Sequence, residues 1–347
     1  VRWPSGITPE DFLDLLTKPH DATSTAHVSR LSDGKFLGTC PVLEGQVDVD
    51  AHEPVARKCG PTLLDVDGFF DGPSMNLQVQ IRYSVDGYEL PVFTGPVVRP
   101  PTRDGERVTL ECQDRAAIGM RGVPPDQFAG NQGGIGLIKK ILTKKCGETE
   151  FAGFGRAGDL TEDPVTVGWE DNLRPWVQSL KLANAEDRHL FYTAAGACTL
   201  RRYPDDPAVD LEPLVTSEGP VEPPSEVVNR VKVVGKRPAD HTAVEVLRNH
   251  PLSPSSLNVG GVNQYFTVEE SDDKLDTAKK ANARAKRLLR QHRNRMDETQ
   301  TFNMVPFPGL DPFDRLDFGR LTVTALRWSF PLTSSGEMSF GLTRPLR

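Results

Sequence analysis

Short runs of alternating apolar and polar residues, each closed by a turn signal, are the feature that most restricts this chain. Leu77-Gln78-Val79-Gln80-Ile81-Arg82-Tyr83 alternates throughout and is followed by Asp86-Gly87. Successive strand side chains point to opposite faces, so such a run offers one face to a core and one to water. Asp-Gly tolerates the positive φ angles of a two-residue hairpin turn, which predicts a returning strand over Glu89 to Thr94. Gln46 to Asp50 alternates in the same way, and Asp104-Gly105 turns into a further strand, Arg107 to Cys112. Two hairpins in succession imply an antiparallel meander. Chain breakers reinforce this: Gly 30 and Pro 29 together exceed average usage, mainly through Pro, and divide the chain into short elements.

The rest of the chain mixes in helices. Thr8-Pro9-Glu10-Asp11 ahead of Phe12, Leu13, Leu15 and Leu16 combines an N-cap, a first-turn proline and acids that complement the helix dipole. A short helix ending before Pro19 is predicted. Gly134 to Leu142 has apolar residues at helical spacing with Gly147 as a stop, and a second helix is expected over about Asp171 to Ala185. A hairpin from His189-Leu190-Phe191-Tyr192 to Cys198-Thr199-Leu200-Arg201-Arg202-Tyr203 completes a compact α+β block. Pro204 to Pro224 reads as an exposed connection, Val227 to Gly235 as a strand, and Pro251 to Gly261 as a loop. The longest helix is expected over Asp273 to Met296. Strands are then expected at Thr301 to Val305, Asp317-Phe318, Leu321 to Phe330 and Met338 to Leu342, with a turn at Thr333 to Gly336.

A chain of 347 residues calls for two or three domains at roughly 100 to 200 residues each. With 26% charged and 37% hydrophobic residues, it fits a soluble globular class. A net charge of −7 excludes nucleic-acid binding by overall composition and leaves only a local basic surface. No run approaches the roughly 18 apolar residues of a membrane span, and no secretory leader is expected, since no basic region followed by an apolar run opens the sequence. The five cysteines (Cys40, Cys59, Cys112, Cys146, Cys198) are scattered and odd in number, without a CxxC pair. They are expected to be small buried hydrophobes in a protein assembled in a reducing cytosol.

Candidate chemistry is sparse. Asn131-Gln132-Gly133-Gly134-Ile135-Gly136 precedes a helix but lacks the Gly-Lys-Ser/Thr ending of a phosphate loop and the spacing and βαβ context of a dinucleotide loop. The seven histidines (20, 27, 52, 189, 241, 250 and 292) form no metal-binding spacing, and no G-x-S-x-G elbow is present. The expectation is therefore no catalytic, cofactor-binding or metal-ligating residues, and no cofactor. The helix over 273–296 is strongly basic through Lys274, Lys279, Lys280, Arg284, Lys286, Arg287, Arg290, Arg293 and Arg295. It reads as amphipathic, packing Leu275, Ala278, Ala281, Ala285, Leu288 and Leu289 while the long cationic side chains stay solvated; an acidic partner or DNA is the alternative.

Several segments, in order, resemble the tail-hub, or baseplate-hub, family of long-tailed phages, including minor tail proteins of actinobacterial phages. They are Val92-Phe93-Thr94-Gly95-Pro96-Val97, then Leu110-Glu111-Cys112-Gln113-Asp114, the hairpin His189 to Arg202, and Val228 to Gly235. The Ala- and Arg-rich helix follows, then Asn303 to Phe318 with Leu310-Asp311-Pro312-Phe313-Asp314. The resemblance implies a mainly β fold with an α+β insert. Two tube-like antiparallel β-barrel domains would flank it: the first formed by 1–115 and 225–250, the insert by 116–210, and 251–347 supplying the long helix and the second barrel. Three copies would form a ring matching a hexameric tail tube. This implies a non-enzymatic homotrimer at the virion tail tip, assembled in the host cytoplasm and not inserted in a membrane. Its neighbours would be the distal-tail or tube ring, the tape-measure protein and receptor-binding or fibre proteins, with DNA passing through. A tail-associated peptidoglycan hydrolase and a nucleic-acid-binding protein acting through helix 273–296 are the other readings.

Overall fold

The computed structural model describes residues 1–121, 127–128, 134–154, 167–168, 174–185, 188–202, 208–222, 227–272, 275–293, 298–319 and 321–344. The chain divides into two compact units. One is Val1–Ser217 with Asn303–Phe340, the other Glu218–Phe302 with Gly341–Arg347.

The first unit opens with helix α1 (Pro9–Leu16), whose Thr8 hydroxyl accepts the Asp11 N–H at 3.1 Å and so caps the first turn. Its buried Phe12 and Leu16 turn inward, Phe12 meeting the rings of Trp3 and Phe307. Ten strands follow: β1 (Ala22–Arg30), β2 (Phe36–Glu44), β3 (Gln46–Asp50), β4 (Arg57–Cys59), β5 (Thr62–Leu64), β6 (Leu77–Val85), β7 (Tyr88–Pro96), β8 (Thr102–Asp104), β9 (Arg107–Thr109) and β10 (Cys112–Gln113). The alternating run forms β6, where Val79, Ile81, Tyr83 and Val85 are buried. Asp86 and Gly87 take φ of +46° and +88° in the expected hairpin turn.

These strands serve two sheets, and the chain changes sheet at sharp corners. The first sheet is antiparallel in the order β7-β6-β1-β2-β5-β9-β8. Gly45 lies between β2 and β3 with φ of +127°, and a Cβ there would sit 2.4 Å from the Gly60 carbonyl oxygen. Only glycine fits where two backbones approach so closely. A single strand was expected over Arg107 to Cys112. It breaks at Leu110-Glu111 because β9 belongs to the first sheet and β10 to the second.

The α+β insert holds α2 (Ala116–Gly119), β11 (Gln127–Phe128), α3 (Gly134–Cys146), β12 (Phe151–Ala152), β13 (Val167–Gly168), α4 (Pro175–Ala185), β14 (His189–Tyr192) and β15 (Cys198–Arg201). Helices α3 and α4 and the β14–β15 hairpin appear where expected, with Gly147 stopping α3 at φ of +66°. They enclose one core of Ile135, Leu137, Ile138, Ile141, Trp176, Leu190 and Leu200. Asp171, Asn172 and Leu173 lie outside the described residues, as do Asn131, Gln132 and Gly133 of the glycine-rich loop; Gly134 is already helical.

Beyond the insert, Pro204 to Pro224 is not simply a connection. It contains β16 (Val209–Asp210) and β17 (Val215–Glu222), because β16 finds a parallel partner strand at 316–317. The second unit contains β18 (Arg230–Val234), β19 (Thr242–Val246), β20 (Thr267–Ser271) and α5 (Ala278–Arg293), and the chain returns along β21 (Glu298–Met304). The segment 225–250 was expected to return to the first β-block. Its strand β18 instead pairs with β19 and β20, and the buried Val231, Val233 and Ala243 pack against Ala281, Ala285 and Leu288 of α5.

Last come β22 (Arg315–Phe318), β23 (Leu321–Thr324), β24 (Arg327–Pro331) and β25 (Met338–Arg344). Rather than a β-block of their own, the C-terminal strands join the second sheet, ordered β10-β4-β3-β24-β25-β21-β17. Trp328 pairs with Val49 and Phe330 with Val47. The rings of Tyr83 on β6 and Phe330 on β24 meet edge-to-face at 4.9 Å, so the two sheets share one core. The fold is thus mainly β, with several antiparallel sheets. Among the described residues no sheet closes into a barrel.

Candidate functional site: a buried arginine–aspartate joint

The motifs picked out in the sequence converge on one place in the first unit. Arg57 on β4 is buried, and its Nη2 donates to the Asp311 carboxylate at 2.5 Å and to the Leu310 carbonyl at 3.0 Å. Its Nη1 reaches the Val92 carbonyl of β7 at 3.4 Å, and the guanidinium lies 5.6 Å from the centre of the Trp328 ring. The planar fork of arginine serves several acceptors at once, which a lysine ammonium does not do in this geometry.

Asp311 and Asp314 stand in the turn before β22. Asp311 accepts from the Ala194 N–H of the insert hairpin at 2.9 Å and from Arg2 Nε at 2.9 Å. Asp314 takes both terminal nitrogens of Arg201 at 3.1 and 2.7 Å, while its other oxygen accepts the Asp311 N–H at 2.8 Å. Phe313 between them is forced to φ of +67°, and its ring stacks on His189 at 4.0 Å. Burial opposes ionisation of Asp311, but the guanidinium groups of Arg2 and Arg57 hold its carboxyl below the usual range.

Asp114 closes the joint from the other side. One oxygen accepts the Arg57 N–H and the other the Ala116 N–H, each at 2.9 Å, so the same carboxylate ties β4 to the start of α2. Burial pushes its pKa up to about 6 against these hydrogen bonds. Thr94 of β7 donates its hydroxyl to the Ala194 carbonyl at 2.8 Å. A Cβ on the adjacent Gly95 would lie 1.9 Å from the Gln113 carbonyl oxygen. Thr94-Gly95 and Cys112-Gln113-Asp114 are therefore two halves of one close backbone crossing. Further out, Arg115 joins Glu148 at 3.1 Å and Gln78 at 2.6 Å, and Trp176 donates to the Pro54 carbonyl at 2.5 Å.

Chemically, this arrangement ties distant segments of the chain together. Each oxygen of Asp114, Asp311 and Asp314 is engaged by a donor from the chain itself. Among the described residues no group of three or more His, Cys, Asp or Glu has the geometry to hold a metal ion. All five cysteines are free thiols, four of them buried, and burial pushes those of Cys40 and Cys146 up to about 12. The expected basic helix is there. Ala281, Ala285 and Leu288 are buried, and Lys279, Lys280, Lys286, Arg290 and Arg293 are exposed, as the amphipathic reading requires; Ala278, expected to pack, is exposed at the first position of the helix. Lys274 and Arg295 lie outside the described residues. Arg57 was missed: Ala56-Arg57-Lys58 looks like surface, and nothing local marks its burial.

No protein-family model matches the chain, and no curated protein matches it by sequence. Solved structures do. The 43 kDa tail protein of prophage MuSo2 from Shewanella oneidensis matches 94% of this chain and 99% of its own, with a TM-score of 0.63 and 13% identity. A tail protein from Neisseria meningitidis MC58 matches 93% and 97%, with a TM-score of 0.64 and 14% identity.

The chain has the fold of these tail proteins. Prophage tail protein gp18 of Listeria monocytogenes EGD-e shares it more loosely, with a TM-score of 0.51 at 9% identity over 92% of this chain and 94% of that one. At such low identity the tail-protein fold is preserved by packing and topology rather than by individual side chains.

Proposed function

We propose that the chain is a structural component of a phage tail, and within it the tail hub at the distal end. There it closes the tail tube and connects it to receptor-binding or baseplate parts for DNA delivery. The observation that carries this reading is the match of fold over nearly the full length of both chains, in tail proteins from two bacterial species. The joint supports a mechanical role, since its carboxylates and guanidinium groups are spent on holding the insert, the first sheet and the C-terminal strands together.

In this reading three copies form a ring, and the tube-like barrels are completed between copies, where sheet edges left open in one chain find partners in the next. The segment 116–210 acts as an inserted module. The ring contacts the distal-tail or tube protein, the tape-measure protein and receptor-binding or fibre proteins, while DNA passes without a catalytic step. Neither cofactor nor metal enters. Negative-stain electron microscopy of virions labelled with an antibody against this chain tests the proposal. Label at the tail tip is expected; label on the capsid or along the whole tube would overturn it.

A further inference from the structure

Helix α5 is a one-signed element. Over Ala278–Arg293 it carries seven Lys and Arg residues and no Asp or Glu. Its apolar side is used up against the β18–β20 sheet, so the cations are turned outward. Lys280 with Arg284, and Lys286 with Arg290, are like charges four residues apart, and Lys279 and Lys280 stand at the positive end of the helix dipole. Each arrangement works against the helix. Relief is partial: Asp276 pairs with Lys280 at 2.9 Å and Glu270 with Arg284 at 2.6 Å. Lys279, Lys286, Arg290 and Arg293 have no ion-pair partner among the described residues and are exposed.

The opposite charge is in the same chain. The second unit holds sixteen Lys and Arg against twelve Asp and Glu, a net +4, and the first holds 25 against 36, a net −11. Helix α1 of the first unit alone exposes Glu10, Asp11 and Asp14 and contains no basic residue. The exposed cationic face of α5 offers no aromatic ring for stacking on bases, which argues against single-stranded nucleic acid.

We propose that the outer face of α5 docks on the acidic first unit of a second copy of this chain. The contact is heterologous, a basic surface of one copy on an acidic surface of the next, the type that closes into rings. The proposal deepens the tail-hub reading and rests on it only for the expectation that copies meet.

Sedimentation velocity of the full chain tests it at about 0.05 M and about 0.5 M salt, where screening lengths differ severalfold. Association is expected at low salt and its loss at high salt. Lys286→Glu/Arg290→Glu/Arg293→Glu should weaken it by roughly tenfold or more. Lys279→Ala/Lys286→Ala/Arg290→Ala, which keeps strong helix formers on exposed sites, should weaken it in the same direction. Circular dichroism confirms that both variants are folded. A wild-type monomer at low salt, or an association indifferent to salt and to both variants, overturns the proposal. So does a monomer that binds a duplex DNA of about 30 base pairs with steep salt dependence lost in the variants, which would assign the face to nucleic acid. Virion labelling is independent of these readings. Label at the tip together with a salt-indifferent chain removes this contact and leaves the hub reading standing.

Discussion

Arg57 and Asp311 are each the other's justification. A guanidinium or a carboxylate withdrawn from water is tolerated only when paired and hydrogen-bonded, and removing one partner strands the other. Arg57→Met is therefore expected to destabilise the first unit by about 3 to 5 kcal/mol, read from urea unfolding followed by tryptophan fluorescence. Adding Asp311→Asn should recover part of that loss, because the buried carboxylate, left with Arg2 without Arg57, is no longer charged. A double variant no better than the single one would show that the pair is not the source of the cost.

Asp114 and Asp311 give opposite pH responses. Asp114 has its folded pKa raised to about 6. Its contribution to stability is thus full below the ordinary carboxylate pKa near 3.9 and is lost as pH rises through about 6. Asp311 is lowered, so its contribution is present above the ordinary value and lost as pH falls through its folded value. Comparing Asp114→Asn with the wild type isolates the first arm. The unfolding free energy of the wild type relative to the variant should fall between about pH 4 and pH 7; a flat difference would contradict the raised pKa.

Among elements, the corners between sheets are the most exacting. At Gly45 both the positive φ and the nearby Gly60 oxygen forbid a side chain. Gly45→Ala should therefore lower the thermal midpoint, with a cost above about 1 kcal/mol. Helix α5 makes the complementary case, because its two sides differ. Ala285 is fully buried against the sheet and Ala283 is exposed. Ala285→Leu should cost about 1 to 3 kcal/mol by overpacking, whereas Ala283→Leu should stay within about 0.5 kcal/mol. Thermal melts of the two variants side by side decide it, and equal costs would contradict the burial assigned to α5.

These elements also show how far the sequence could be read. α1, the β6–β7 hairpin, α3, α4 and the β14–β15 hairpin were legible because each is specified within its own segment by caps, period and turn residues. Helix α5 was legible in kind but drawn too long at its N-terminal end, where residues 275–277 precede the helix. Arg57 was not legible, since whether an arginine is solvated depends on what arrives from 253 residues further along the chain.

For the molecule as a whole, the two units predict more than one unfolding transition in calorimetry. Asn229 allows them to be told apart. In the second unit its amide donates to the Leu252 and Gln264 carbonyls at 3.1 and 3.0 Å and accepts the Phe266 N–H at 2.8 Å, which pins the base of the loop between them. Asn229→Ala leaves those groups unpaired and should lower one transition while leaving the other in place. A uniform shift of both would mean that the units unfold together.

The sequence by itself determined the β-rich character, the helices and the hairpins. These follow from backbone periodicity, capping and turn chemistry, which act over a few residues. Only the tertiary structure decided which strands share a sheet. It carried 225–250 into a separate α/β unit and paired β24 with β3 across most of the chain's length. It also brought Asp114, Asp311 and Asp314 around one buried arginine. Strand pairing and charge burial depend on long-range partners, and alternation of apolar and polar residues says which face of a strand is inward without saying what will meet it.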